Sequence, residues 1–262
     1  DAAGADLQLV YELHGQGFRV VPSFGVIPAM NFIFDLAKAG TMAPGLNYGF
    51  ERMLHGEQYT KLERPMPTKA KLKHKAKIVD IQDKKKGALV VTEIKSYDEA
   101  GDLLVTNQIR TFVRGAGGWT SDESSSPTPA KHVPPDRAPD FVVEEPTRPD
   151  QGLLYRLSGD WNPLHADPNF AKAMQFDRPI LHGLCTFGFA TRHVLSKCAP
   201  DGDVRYFESI DVRFAKAVYP GDTLVTEMWK DGTTVIFQTR VKERDEVCLS
   251  NAAVTLYASP PG

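Results

Sequence analysis

The sequence predicts an α+β fold built from two strand-rich halves, and three observations predict it. Two blocks of three extended runs recur, one ending near residue 113 and one beginning near residue 223, with short polar turns inside each block. One long amphipathic segment, 184–199, precedes the second block. A stretch dense in Gly, Ser and Pro, 115–149, separates the halves.

The elements follow in order. Residues 29–39 offer a short, poorly capped helix ended by Gly40, at most a remnant of the helix in the second half. Lysines at 69, 71, 73, 75 and 77 have the period of a strand, with Ala70, Leu72, Ala76 and Ile78 on the other face. Such a run is usually a solvated face; an anionic ligand such as a cofactor phosphate is the competing reading. Extended runs at 72–80, 88–96 and 103–113 are broken by Asp83-Lys-Lys-Lys-Gly87 and Glu99-Ala-Gly-Asp102. The composition shift divides the chain into a first half at 1–120, a linker at 121–149 and a second half at 150–262.

In the second half, 153–157 reads as a strand running into Gly159, after which Pro163 and Pro168 prevent a regular helix. In the 184–199 helix, Leu184, Phe187, Val194, Leu195 and Cys198 share a face. Runs at 223–229, 234–242 and 247–257 close the chain, with Asp231-Gly232 at one turn. The last runs of the two blocks overlay, Leu104-Val-Thr-Asn107 on Cys248-Leu-Ser-Asn251, which marks a weak internal repeat. Leu-His-Gly also occurs twice, at 54–56 and 181–183, but its distance to the following strands differs, so the two copies are not equivalent.

Lys and Arg number 31 against 33 Asp and Glu in 262 residues, a formal charge of −2 with no global attraction to nucleic acid. Cys185, Cys198 and Cys248 cannot all pair and have no zinc-ligand spacing, which fits reduced thiols. His14, His74, His132 and His193 show no metal spacing either. No apolar run approaches the roughly 18 residues of a membrane span. The chain starts at Asp1 with no signal-like segment, and reads as a piece of a longer protein.

Chemistry concentrates in Tyr155-Arg-Leu-Ser-Gly-Asp160-Trp-Asn162-Pro-Leu-His165. A carboxylate and an imidazole five residues apart on a stiff loop can address one water, the imidazole taking a proton near neutral pH and the acid returning one. Such groups also cap turns, so the spacing alone leaves both readings open. Gly183 stands at the start of the 184–199 helix, where the first N–H groups lack acceptors and can stabilise an oxyanion. Tight packing of helix on sheet is the equal alternative. Trp161 and Trp229 read as packing aromatics, and His182 as a structural hydrogen-bonding group beside Gly183.

The 155–165 segment, followed by Ile180-Leu-His-Gly-Leu-Cys-Thr-Phe-Gly188, resembles the signature of the (R)-specific 2-enoyl-CoA hydratases of the MaoC-like family. The resemblance extends to Phe214-Ala-Lys-Ala-Val-Tyr-Pro-Gly221 and back to Leu54-His-Gly-Glu-Gln58, and thins in the linker and at both ends. It implies a double hot-dog fold, each half an antiparallel sheet wrapped around a helix, with the first helix reduced. It places the acid and base on Asp160 and His165, a supporting amide on Asn162 and the oxyanion donor on Gly183. Acyl-CoA contacts would fall on His55, Gly56, Lys84, Trp161, Pro163, Leu164 and Phe214, with acyl contacts from both halves, including residues 29–50. No cofactor or metal is implied, because the thioester supplies the electron sink. A homodimer, membership of a larger multifunctional chain and a peroxisomal location in fatty-acid β-oxidation are further implications; the end Ser259-Pro-Pro-Gly262 carries no Ser-Lys-Leu address. The alternatives are a hot-dog thioesterase, which would release free thiol, and a non-catalytic acyl-CoA or lipid binder, for which an acid-base pair has no use.

Overall fold

The computed structural model describes residues 6–40, 52–119 and 132–261. The strands are β1 (Met53–Leu62), β2 (Lys73–Asp83), β3 (Gly87–Tyr97), β4 (Leu103–Arg114), β5 (Phe141–Pro146), β6 (Phe207–Phe214), β7 (Thr223–Asp231), β8 (Thr234–Val241) and β9 (Glu246–Leu256). The helices are α1 (Ile27–Lys38), α2 (Gln151–Arg156), α3 (Pro168–Ala173) and α4 (Gly183–Cys198). The strands form one antiparallel sheet in the order β2-β3-β4-β1-β6-β9-β8-β7-β5.

That order contains the repeat. Read outward from the centre, β1-β4-β3-β2 on one side matches β6-β9-β8-β7 on the other, and a helix precedes each set in the chain. The two hot-dog halves are joined edge to edge where β1 pairs with β6, from Glu57 opposite Arg213 to Lys61 opposite Ser209. The first Leu-His-Gly lies in β1 and the second opens α4, so the two copies are indeed unrelated by the repeat.

α4 is the core of the second half. Ten of its sixteen residues are buried, among them Phe187, Val194 and Leu195, packed with Phe207, Ile210, Phe237 and Val254 from the sheet. The first helix is more than a remnant: α1 runs twelve residues and follows a 3-10 turn at Pro22–Val26. It is seated differently, however. Ala29 is its one fully buried residue, pinned against Ile94 and Ile109, and Met30, Phe32 and Ile33 pack around it only partly buried.

Three features depart from the sequence reading. β5, inside the stretch assigned as linker, is an edge strand of the second half, paired with β7. Residues 151–156 are helix rather than strand; Leu153, Leu154 and Leu157 are exposed, so their apolar run does not report a buried strand. The runs read from the sequence omit β1 and β6; β6 alternates Ile210, Val212 and Phe214, but β1 carries no simple apolar alternation. The inward residues of β1 include Gln58 and Thr60, both fully buried and bonded to Asn107 of β4, whose amide donates to Gly25 O at 3.1 Å. The lysines at 73, 75 and 77 lie exposed on edge strand β2, the solvated reading of that run.

Candidate active site

A cleft of about 1200 Å³ opens between the halves, lined from the first by α1, β1 and β4 and from the second by the 160–165 loop, the start of α4 and the end of β6. It brings together Asp160, Asn162, Leu164, His165 and Gly183 with His55, Gly56, Lys84 and Phe214.

The loop is held by its own backbone. Asp160 accepts the Asn162 N–H at 3.1 Å, and the Asn162 side-chain oxygen accepts the Leu164 N–H at 3.0 Å, an N-cap for the 3-10 turn Pro163–His165. The Asn162 amide NH₂ is thereby left for the cleft. Arg156 reaches from the end of α2 to the Asn162 carbonyl at 3.1 Å. His165 is oriented by one bond: its Nδ1 lies 2.9 Å from the Ile180 carbonyl, which can only accept. The proton therefore sits on Nδ1, and Nε2 carries the free lone pair.

Electrostatics favour the uncharged forms of this pair. Burial raises Asp160 above the ordinary carboxylate range, opposed by the charge of His165. Burial lowers His165, opposed by its bond to Ile180 and by Asp160. A neutral imidazole beside a protonable carboxyl is an acid-base pair ready to act. His182 stacks on His165 with ring centroids 3.8 Å apart, and burial, reinforced by His165, lowers it to about 3. It stays neutral, its Nε2 3.4 Å from the Asp160 carbonyl, the structural bond anticipated for it.

Gly183 is the first residue of α4, and its N–H has no acceptor within the helix. A Cβ there would lie 3.0 Å from Cδ1 and Cε1 of Phe214, so the glycine lets that ring lie close against the helix start, and a side chain would push it back by a few tenths of an ångström. His55 packs edge-on against the other side of Phe214, centroids 5.0 Å apart, and its Nε2 bonds Gln58 Oε1 at 3.0 Å. Burial lowers His55 to about 4, so it too is neutral. Lys84 is set at the mouth by the β2–β3 turn, where buried Asp83 accepts the N–H groups of Lys85, Gly118 and Trp119 at 2.7–2.8 Å.

Asp160, His165 and His182 each offer a ligand atom within 4.8 Å of the others, a set able to hold a divalent ion. Two of the three are the acid and base just described.

The chain matches two family descriptions in tandem: "MFE-2 hydratase 2 N-terminal domain" over residues 2–115 and "MaoC like domain" over residues 130–252. It is 45% identical to the enoyl-CoA hydratase 2, peroxisomal, of Arabidopsis thaliana, across 95% of this chain and 82% of that protein. The chain belongs to the enoyl-CoA hydratase 2 family of MaoC-like proteins. It is 48% identical to the peroxisomal multifunctional enzyme type 2 of Mus musculus over 96% of this chain, which spans about a third (34%) of that relative's length. Its structure superposes on a MaoC-like dehydratase from Phytophthora capsici with a TM-score of 0.86, at 35% identity, covering 97% of this chain and 89% of the other.

Within this hydratase 2 fold, two of the positions assigned acyl-CoA contacts lie off the cleft lining. Along the extended loop, side chains alternate, so Asp160 and Asn162 enter the cleft while Trp161 turns the other way onto Phe34 and Lys38. Pro163 opens the 3-10 turn and does not line the cleft. Of the acyl contacts expected from residues 29–50, Met30, Ile33, Phe34 and Ala37 line the cleft; positions 41–50 lie outside the described residues. Sequence reasoning missed Arg156, Thr186 and Arg213, whose placement depends on the folded loop and on the β6 register.

Proposed function

We propose that this chain catalyses reversible syn addition of water across the 2,3 double bond of a trans-2-enoyl-CoA, giving the (3R)-hydroxyacyl-CoA. The observation that carries this reading is the commitment of His165 Nδ1 to the Ile180 carbonyl, which leaves Nε2 as a base beside a protonable Asp160 and facing the same cleft as the Gly183 N–H. The Gly183 N–H donates to the thioester oxygen and stabilises the charge that develops there, which makes Cβ electrophilic. His165 Nε2 removes a proton from water as its oxygen bonds to Cβ, and Asp160 delivers its proton to Cα on the same face. The proton then held by His165 returns to the Asp160 carboxylate, which resets the pair. The Asn162 amide orients the water, and the thioester is the only electron sink the step needs.

The two halves divide the work in this reading. Residues 150–262 supply the acid, base and oxyanion donor, and residues 1–120 supply much of the acyl and CoA surface, with Lys84 positioned for a phosphate. Relatives are named peroxisomal and several are multifunctional, which supports a peroxisomal setting, a place in fatty-acid β-oxidation and a larger parent chain. A homodimer is part of the same proposal.

Asp160→Asn and His165→Gln should each lower kcat for hydration of crotonyl-CoA and decenoyl-CoA by roughly 10²–10⁴-fold, with loss of enoyl absorbance and no release of thiol in the parent enzyme. Near-parental rates in either variant, or stoichiometric thiol release, would sink the assignment.

A further inference from the structure

We propose that α1 of the first half is the clamp that fixes the acid-bearing loop of the second, with Asn31, Phe34 and Trp161 acting as positioning residues for Asp160. The proposal rests on the hydratase reading for its kinetic consequence, and on geometry alone for its structural one.

The loop from Leu157 to Asn162 has no helix or strand; turn bonds from the Leu157, Ser158 and Gly159 N–H groups close its start, and the contacts of α1 add to its local backbone bonds. Its backbone turns at Gly159, with φ +108°, a conformation that side-chain-bearing residues rarely adopt. Asn31 sits directly on this turn: a Cβ at 159 would lie 2.4 Å from Asn31 Oδ1 and 2.8 Å from its Nδ2. Asn31 Nδ2 also donates to the Ser158 carbonyl at 3.4 Å. Two residues later the Phe34 ring lies 5.2 Å from the Trp161 ring, and Lys38 Nζ lies 4.8 Å from the Trp161 centroid. Residues 31, 34 and 38 form one helical stripe, spaced by three and four, so a single face of α1 meets both sides of Asp160.

The neighbouring stripe of the same helix, Met30, Ile33 and Ala37, lines the cleft, and Phe34 lines it as well. α1 therefore does two things that meet at the Phe34 ring. One stripe shapes the acyl slot, where contacts grow with chain length. The other grips the loop through Asn31 and Lys38, which lie off the cleft lining, and through the Phe34 face turned to Trp161. The anchor of α1 itself is Ala29 against Ile94 and Ile109 of the first half-sheet, so the grip passes the first half's rigidity to the second half's acid. A displacement of about 1 Å at a reacting group costs on the order of 10²-fold in rate. Loosening the clamp should therefore lower kcat by the same factor for every acyl length and leave KM nearly unchanged.

The test uses the whole chain. Trp161→Ala and Asn31→Ala are compared with the parent and with Trp161→Phe, which keeps an aromatic face for Phe34 and Lys38. Steady-state hydration of crotonyl-CoA and decenoyl-CoA is measured together with amide hydrogen exchange across 157–162. The expected result is a fall in kcat of about tenfold or more in Trp161→Ala, equal for the two substrates, with KM within about twofold. Trp161→Phe should recover most of that loss, and exchange in the loop should accelerate in both alanine variants while α4 stays protected. A raised KM with kcat intact would make Trp161 an acyl-CoA contact and overturn the clamp, as would a loss confined to decenoyl-CoA. Should Trp161→Ala fail to fold, Asn31→Ala carries the same test from a half-buried site. A parent inactive on both thioesters would remove the hydratase reading; the clamp then stands or falls on the exchange, and unchanged exchange overturns it.

Discussion

At the scale of single residues, burial shifts both ionisable groups of the site toward their uncharged forms. Burial lowers His165, so its neutral form persists below the ordinary imidazole value of about 6.5. The sign follows directly: the base is lost only when pH falls through that lowered value. The acidic limb of kcat/KM should accordingly lie below pH 6.5 in the parent, and a limb above pH 7 would contradict the buried, neutral imidazole. Legibility in the sequence was good for these groups, because Asp160, Asn162, His165 and Gly183 are brought together by short-range geometry that prolines and a helix start already announce. For Trp161 it reached the packing role but not the packing partners, which are set by alternation along a loop and by a helix more than a hundred residues earlier in the chain. It also failed for His193, which no spacing singles out, although it is buried between Glu145 and Thr226 at 2.9 Å from each.

At the scale of elements, that His193 explains why an edge strand stays in place. β5 has one neighbour, β7, and exposed residues Phe141 and Val142. Its holds on the core are Val143, packed against the buried cluster, and Glu145, which bonds His193 Nε2 of α4 and pairs with Arg192. The bond to His193, helped by Arg192, depresses Glu145 from 4.5 to about 2 against the cost of its burial. A depressed carboxyl stabilises the fold above its unfolded value and loses that contribution as pH falls from about 4.5 through about 2. Glu145→Gln should lower the Tm at pH 7, and the gap to the parent should close between pH 5 and pH 2.5. A constant gap over that range would show that the carboxylate charge is not what holds β5. The strand escaped the sequence reading because none of its six residues is fully buried and because prolines crowd its flanks. β1 escaped for the opposite reason: its inward face is polar, and Gln58 and Thr60 satisfy one another through Asn107 instead of filling a core.

At the scale of the molecule, two cations bridge the seam between half-sheets: partly exposed Lys61, which reaches Glu208 at 3.9 Å, and Arg110. Arg110 of β4 reaches Glu57 of β1 at 3.2 Å and Asp211 of β6 at 3.0 Å, and is nearly buried. Burial raises Asp211, and Arg110 draws it back. Replacing Arg110 with Met leaves two carboxylates facing each other across the seam. Because Glu57 and Asp211 keep some solvent contact, the loss of stability at pH 7 should fall at or below the lower end of the ~3–5 kcal/mol typical of a broken buried pair. It should shrink toward pH 4, where the orphaned Asp211 takes up a proton. Urea unfolding at the two pH values measures both, and an equal loss at each would assign the effect to packing instead of charge.

Because the seam from Glu57 to Lys61 is closed within one polypeptide, its formation is not subject to mass action. The tether fixes the local concentration of one half around the other, at roughly millimolar levels for flexible connections, however few molecules are present. The groups proposed as acid, base and oxyanion donor thus line one cleft within a single chain. Specific activity should stay constant as enzyme is diluted from about 1 µM to about 1 nM, well past the point where a weak pair of chains would separate. A progressive loss over that range, reversed by concentrating the protein, would mean that chains complete one another's sites.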